Sequence, residues 1–151
     1  SQGRPMFLRS ENSNFNRANF MRTHIFSAIA TLKIGMEILE KENVKIDRLM
    51  GHGGLFKTEY VGQKLMAGAM KTPVSVLSTA GEGGAWGIAV LALFAKNSFD
   101  LTLDDYLNEK IFSKFETSTL EPDEKDILGF EKYMMLYKKS LAVEKSAVEN
   151  I

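Results

Sequence analysis

Apolar residues recur at steps of three and four from Ala18 through Met21, Ile25, Ala28, Leu32 and Met36 to Leu39. That period predicts an amphipathic helix over about Asn16 to Lys41, with this stripe turned to a core. Asn14 or Asn16 can cap its start, and Glu42-Asn43 ends it, since asparagine tolerates the left-handed conformation of a helix end. His24 lies beside the stripe with no histidine or carboxylate four residues further on, so it reads as a packing residue and not a metal ligand. Ahead of the helix, residues 1–14 are polar and irregular apart from Met6-Phe7-Leu8, a candidate strand remnant. A second stripe, Ile127, Phe130, Met134, Tyr137 and Leu141, predicts a long C-terminal helix. Glu121-Pro122-Asp123-Glu124 places proline and acids in its first turn. Met134-Met135 and Tyr133 with Tyr137 then read as packing groups, and Lys138-Lys139 as a solvated face.

Between these helices the period changes. Ile46 to Met50 reads as a short strand, weakened by Asp47 and Arg48, and runs into Gly51-His52-Gly53-Gly54. Thr58 is placed to cap a following helix with Val61, Leu65 and Ala69 on its buried side. Thr72-Pro73 closes that helix, because the residue before proline is pushed out of the helical region. Val74 to Leu77 is a second, β-branched strand, and Ser78-Thr79-Ala80-Gly81-Glu82-Gly83-Gly84 a second glycine-rich turn. The helix after it, about Gly84 to Lys96, is apolar almost all round, the pattern of a helix buried on several sides. Gly84, Gly87 and Ala89 would let another backbone come close, and Trp86 would be a core or pocket-wall residue. Leu101 to Tyr106 contains a capping box, Thr102 with Asp105, and Phe115 to Leu120 is a threonine-rich, extended candidate.

Strands alternating with helices predict an α/β fold whose strands run parallel. In such sheets ligands bind at the carboxyl ends of the strands, and both glycine turns lie there. A glycine turn leading into a helix offers bare amides and about half a positive charge. Each turn is therefore a candidate ligand-facing loop. Glu82, flanked by glycines, is the one carboxylate singled out; its simpler role is favourable charge in a first helical turn.

Composition bounds the function classes. The chain has 151 residues, 44% hydrophobic and 25% charged, which suits one globular domain. Nineteen basic residues balance nineteen acidic ones, so no overall field points to nucleic acid or an anionic membrane. The absence of cysteine excludes disulfides, zinc ribbons and thiol catalysis, and fits a cytoplasmic protein. The longest uncharged apolar stretch, Ala85 to Ala95, is too short to span a bilayer. Ser1-Gln2-Gly3-Arg4-Pro5 does not read as an initiation sequence, which leads us to expect a piece of something longer. A Walker P-loop is absent, and Gly51 to Gly54 does not complete a dinucleotide fingerprint. His52-Gly53-Gly54 is shared with esterase oxyanion loops, but no Gly-x-Ser-x-Gly nucleophile elbow accompanies it.

Taken together, Gly51-His52-Gly53-Gly54-Leu55-Phe56-Lys57-Thr58, Val61-Gly62-Gln63, Pro73-Val74 and Ala80-Gly81-Glu82-Gly83-Gly84-Ala85-Trp86-Gly87-Ile88-Ala89 resemble the C-terminal domain of FGGY-family carbohydrate kinases, most of all the xylulokinase and ribulokinase type. The resemblance is good over Phe15 to Lys96 and looser to the end. It implies part of a ribonuclease H-like, actin-like ATPase domain: a core over residues 15–96 and a helical extension over 97–151. It also implies a full-length enzyme that transfers the γ-phosphate of ATP, with Mg2+, to a sugar hydroxyl, in a cleft between two such domains. Carried onto this sequence, Gly53, Gly54 and Thr58 would hold the adenosine end of ATP. Lys57 would line the same pocket, and Gly81, Glu82 and Gly83 would border it. Phe56 and Thr58 depart from the alanine or asparagine usual near those positions. The family's aspartate base, its N-terminal phosphate loop, its sugar pocket and the hairpin opening its second domain would all precede this region. No catalytic residue is therefore expected in this chain, and activity would need a missing N-terminal kinase domain. The rival expectation is a non-catalytic binding or dimerisation module, served by the apolar helix after Gly84 and the C-terminal helix.

Overall fold

A computed structural model describes residues 5–78, 83–97 and 100–150. The elements run α1 (Arg17–Lys41), β1 (Leu49–Gly51), a 3-10 turn (Gly54–Phe56), α2 (Val61–Met70), β2 (Val74–Leu77), α3 (Gly83–Asn97) and α4 (Leu103–Tyr106). A π turn over Leu107–Ile111 and a 3-10 turn over Phe112–Lys114 lead into β3 (Thr117–Leu120), and α5 (Glu124–Asn150) ends the chain. They form two compact units, one of residues up to Lys45 together with those from Glu124 onward, the other Ile46–Asp123.

The first unit pairs α1 with α5. Asn16 caps α1, its side-chain oxygen accepting from the Asn19 amide at 2.9 Å, and Asn43 takes the left-handed conformation after its end (φ 56°). The fully buried residues of α1 are Ile29 and Ala30. Phe26 meets Phe130 edge-on at 5.1 Å and Tyr133 at 5.3 Å. This face is rotated from the expected stripe, since Met21 and Leu32 are exposed. The helix is apolar on more than one side, and the aromatic residues of α5 select the side carrying Phe26. On α5, Phe130 and Met134 are buried as the period predicts, while Leu141 is exposed. Met6-Phe7-Leu8 forms no strand; Phe7 instead packs on Phe15 and Phe20, at 5.7 and 5.3 Å. His24 lies edge-on to Phe20 at 4.7 Å, a packing role.

Half-burial beside α1 pushes the Tyr133 phenol up to about 12, with the neighbouring Tyr137 adding to the rise. An unfolded tyrosine titrates near pH 10. Below that pH the phenol is neutral in both states and its contribution to stability is fully present. As pH rises from about 10 towards 12 the unfolded chain ionises first, so the stability of this unit falls. Alkaline denaturation followed by helical circular dichroism should show that fall, and Tyr133→Phe should flatten it. An equal slope in the variant would remove Tyr133 as its cause.

The second unit is built on a three-stranded sheet in the order β1-β2-β3. β1 and β2 are parallel, with Leu49 opposite Val74 and Gly51 opposite Val76. Helix α2 is the crossover between them, as the alternation predicts. It covers the sheet with Met66, Ala67, Ala69 and Met70, and Val74 and Leu77 answer from β2. α2 ends at Lys71 in the left-handed conformation (φ 55°), just before Thr72-Pro73. The threonine-rich segment is recruited as β3, antiparallel to β2. Its Thr119 hydroxyl lies 2.7 Å from that of the buried Ser75 directly opposite.

Several expectations for this unit fail. Thr58 is not a helix cap: α2 starts only at Val61, after Tyr60 in the left-handed conformation (φ 62°), and Tyr60 provides no side-chain cap. Of the expected buried side, Ala69 is buried and Leu65 half-buried but Val61 is exposed, and the buried set is Gly62, Gln63 and Met66 to Met70, because the intervening 3-10 turn delays and rotates the helix. Helix α3 is not buried on several sides. Only Val90 is fully buried, while Ile88, Leu91 and Leu93 are 72%, 50% and 49% exposed. Among the described residues, nothing lies within 4 Å of a β-carbon placed on Gly84 or Gly87, so no close approach of another backbone is seen there. Trp86 does pack, at 5.5 Å from the Phe115 ring and 6.4 Å from that of Phe112. The capping box forms as expected: the Thr102 hydroxyl accepts from the Asp105 amide at 3.2 Å and donates to its carboxylate at 2.6 Å.

Candidate functional site

The first glycine turn opens directly from the carboxyl end of β1. Gly53 has φ 93° and ψ −171°, a combination open essentially to glycine alone. It starts the 3-10 turn, in which the Phe56 amide donates to the Gly53 carbonyl at 3.0 Å and the Lys57 amide to Gly54 at 3.2 Å. The turn sits tightly on α2. A β-carbon on Gly62 would overlap the Leu55 carbonyl oxygen, with Leu55 Cγ at 2.8 Å. The head of α3 also approaches it, since a β-carbon on Gly83 would fall 2.6 Å from His52 Nδ1. The two glycine-rich segments thus meet at one edge of the sheet, through His52 and Gly83. Gly81 and Glu82 lie outside the described residues.

Beyond the turn lies a cavity of about 430 Å³, within the usual range for small-molecule sites (about 300–1,000 Å³). One wall is Phe56, Lys57, Thr58, Glu59, Tyr60 and Gln63; the other is the end of β2, Val76 to Ser78, with Glu116, Thr117 and Ser118. The Ser78 amide donates to the Glu116 carbonyl at 3.2 Å, which holds the second wall together. Of the sequence candidates, Lys57 and Thr58 line this space; Gly53, Gly54 and Gly83 border the turn and do not line it. A hydrogen bond to Glu59, and then its charge, raise the Tyr60 phenol above its ordinary value, so it stays neutral.

Gln63 enters the sequence reading only within the Val61-Gly62-Gln63 segment, with no role assigned to it. It is 3% exposed, and its amide nitrogen donates to the carbonyls of Val74 at 2.7 Å and Ser118 at 2.9 Å. Its oxygen accepts from the Ser118 hydroxyl at 3.4 Å. A signal existed: Gln63 shares helical spacing with Met66, Ala67 and Met70, so it is a polar residue on a buried face. Glu116, Thr117 and Ser118 carried none, because no turn motif announces their antiparallel pairing with β2.

The lining mixes aromatic and aliphatic groups with hydroxyls, an amide and three charged side chains. That suits a flat, mostly neutral ligand with several hydrogen-bonding groups. Among the described residues no group of three or more histidines and carboxylates could hold a metal ion. No helix among them is long and apolar enough to cross a membrane.

Comparison with known proteins agrees with this architecture. The crystal structure of xylulose kinase from Rhodospirillum rubrum superposes with a TM-score of 0.64 at 18% identity, over 89% of this chain and 26% of that one. The likeness shows the fold: a helix-rich α/β arrangement of the actin-like ATPase type. This chain spans about a quarter of that protein's length. No curated protein matches the sequence. The model of the FGGY family of carbohydrate kinases, C-terminal domain, matches residues 1–96. This covers more than half of the sequence, including both glycine-rich turns, and the chain therefore belongs to the FGGY family of carbohydrate kinases as part of its C-terminal domain.

Proposed function

We propose that this chain is the nucleotide-binding part of an ATP-dependent sugar kinase acting on a ketopentose such as xylulose or ribulose, and that it is inactive alone. The observation that carries the reading is the position of Lys57 and Thr58. Both belong to the turn that bears the family resemblance, and both line the cavity at the carboxyl end of β2. Charge favours one end of ATP. Lys57 is outnumbered there by Glu59 and Glu116, an arrangement that repels a triphosphate and suits the neutral nucleoside. Phe56, Tyr60, Val76 and Leu77 offer apolar surface for a base; Thr58, Ser78 and Thr117 offer partners for ribose hydroxyls. Gly53, Gly54, Gly81, Glu82 and Gly83 would border the nucleotide.

Mg2+ would enter with the nucleotide, because it keeps most of its coordination for water and phosphate oxygens. Phosphoryl transfer depends on positioning and charge stabilisation from every side of the reacting group. This chain would supply the nucleotide side only, with the proton-accepting base and the sugar pocket on an N-terminal domain.

Calorimetric titration of the chain tests the site. ATP and AMP are expected to compete for one site, and inorganic triphosphate to leave it unoccupied. Competition by triphosphate, or no binding of ATP, would overturn the assignment. A coupled assay for ADP release with xylulose or ribulose should show no turnover by the chain alone, and clear turnover would sink the reading as a part-enzyme. The alternative of a non-catalytic dimerisation module draws on the exposed apolar residues of α3. Dimers in sedimentation that form without ATP, with no nucleotide bound, would favour it.

A further inference from the structure

Cavity walls must keep a fixed separation if a flat ligand is to be held from both sides. Here the two walls come from parts of the chain far apart in sequence: the segment leading into α2, and the ends of β2 and β3. One side chain is bonded to both strands from within α2. Gln63, in the first turn of that helix, spends both amide hydrogens on main-chain carbonyls, Val74 in β2 and Ser118 in β3. Those two acceptors fix which way the amide points, since its oxygen cannot face them. That oxygen takes the Ser118 hydroxyl, another group on the cavity. Such a group is costly to leave unsatisfied: at 3% exposure, water cannot replace either bond without opening the packing.

We propose that Gln63 is a positioning residue for the nucleotide site, its buried amide setting the separation between the Phe56–Tyr60 wall and the β2–β3 wall. The inference rests on the reading of this cavity as the nucleotide site. Gln63 has no need to touch the ligand. It acts through the first turn of α2, where the Lys64 amide holds the Tyr60 carbonyl, on one side and through Ser118 on the other.

Gln63→Met keeps the length and roughly the volume of the side chain and deletes both donors. In the full-length kinase it is expected to raise KM for ATP about tenfold, the scale of one or two buried hydrogen bonds. KM for the sugar should stay within about twofold. A general loss of stability would raise both constants or lower only the yield of active enzyme. An unchanged KM for ATP, or equal changes in both constants, overturns the proposal.

Should the variant not fold, the unaltered enzyme supplies the second measurement. Exchange of the Gln63 side-chain amide hydrogens, followed by NMR, should be slow and should slow further on saturation with a non-hydrolysable ATP analogue. Exchange that is fast, or indifferent to the analogue once binding is established by calorimetry, overturns the proposal while leaving the site reading intact. No binding of the analogue by the unaltered enzyme removes the site reading and this inference together.

Discussion

Gly62→Ala is expected to destabilise the three-stranded unit by about 1–3 kcal/mol, the range for forcing an extra carbon into a filled space. It should also abolish measurable nucleotide binding. In an exposed helix interior the same exchange would stabilise, because alanine exceeds glycine in helix propensity by about 1 kcal/mol. At Gly62 the new carbon meets main chain: it would overlap the Leu55 carbonyl oxygen and approach the Leu55 carbonyl carbon to 2.9 Å. A peptide group cannot swing aside as the end of a long side chain can. Either α2 or the Gly54–Phe56 turn must move, and the turn carries Lys57 and Thr58 with it. Gly87→Ala is the control. It lies within α3 with nothing in reach of the added carbon, so it should raise stability by several tenths of a kcal/mol up to about 1. Trp86, the sole tryptophan, packs in the same unit on Phe115, and its fluorescence gives a denaturation curve for both variants. Shifts of the same sign in the two would refute the close-approach argument.

What could be read from the sequence and what could not divide along a physical line. Local chemistry was legible. Val74 to Leu77 is β-branched and bracketed by proline and glycine, and it forms β2 as expected. Asn16 and Thr102 cap helices because a side-chain oxygen reaches an amide three residues on. The two glycine turns were legible as a pair at one sheet edge, and the contact of His52 with Gly83 agrees.

Long-range choices were not legible. Nothing in Thr117 to Leu120 specifies that it pairs with β2, because an antiparallel partner separated by two helices leaves no turn signal. Phe26 decides which side of α1 faces α5, yet the period alone weights Ile25 and Phe26 equally. The apolar run of α3 predicts burial, yet Ile88, Leu91 and Leu93 are exposed. In the cavity, Lys57 and Thr58 came from the family resemblance and not from the local pattern, which made Thr58 a helix cap. Gln63 was legible only as a polar residue on a buried helix face; its partner Ser118 needed the sheet order, since one reaches across the unit to the other.

Gly53→Ala is expected to cost about 1–3 kcal/mol, and for a different reason from Gly62→Ala. Among the described residues no atom lies within 4 Å of the added carbon, so none of them is overlapped. The cost is in the main chain: φ 93° with ψ −171° is a conformation that a residue with a β-carbon enters only with strain of that order. Relief by flipping the peptide would break the bond from the Phe56 amide to the Gly53 carbonyl. That would loosen the turn holding Lys57 and Thr58, and ATP affinity should fall about tenfold along with stability, since about 1.4 kcal/mol corresponds to that factor. The neighbouring Gly54 separates strain from ligand contact. It lies in open space inside the 3-10 turn and has no positive φ, so alanine there should be neutral to stability or gain up to about 1 kcal/mol through the unfolded chain. Gly54→Val in the full-length kinase then tests the bare amide directly. Retained stability with ATP affinity reduced about tenfold or more would place the nucleotide against Gly54. Retained stability with unchanged affinity would remove Gly54 from the site and leave Gly53 a purely structural turn residue.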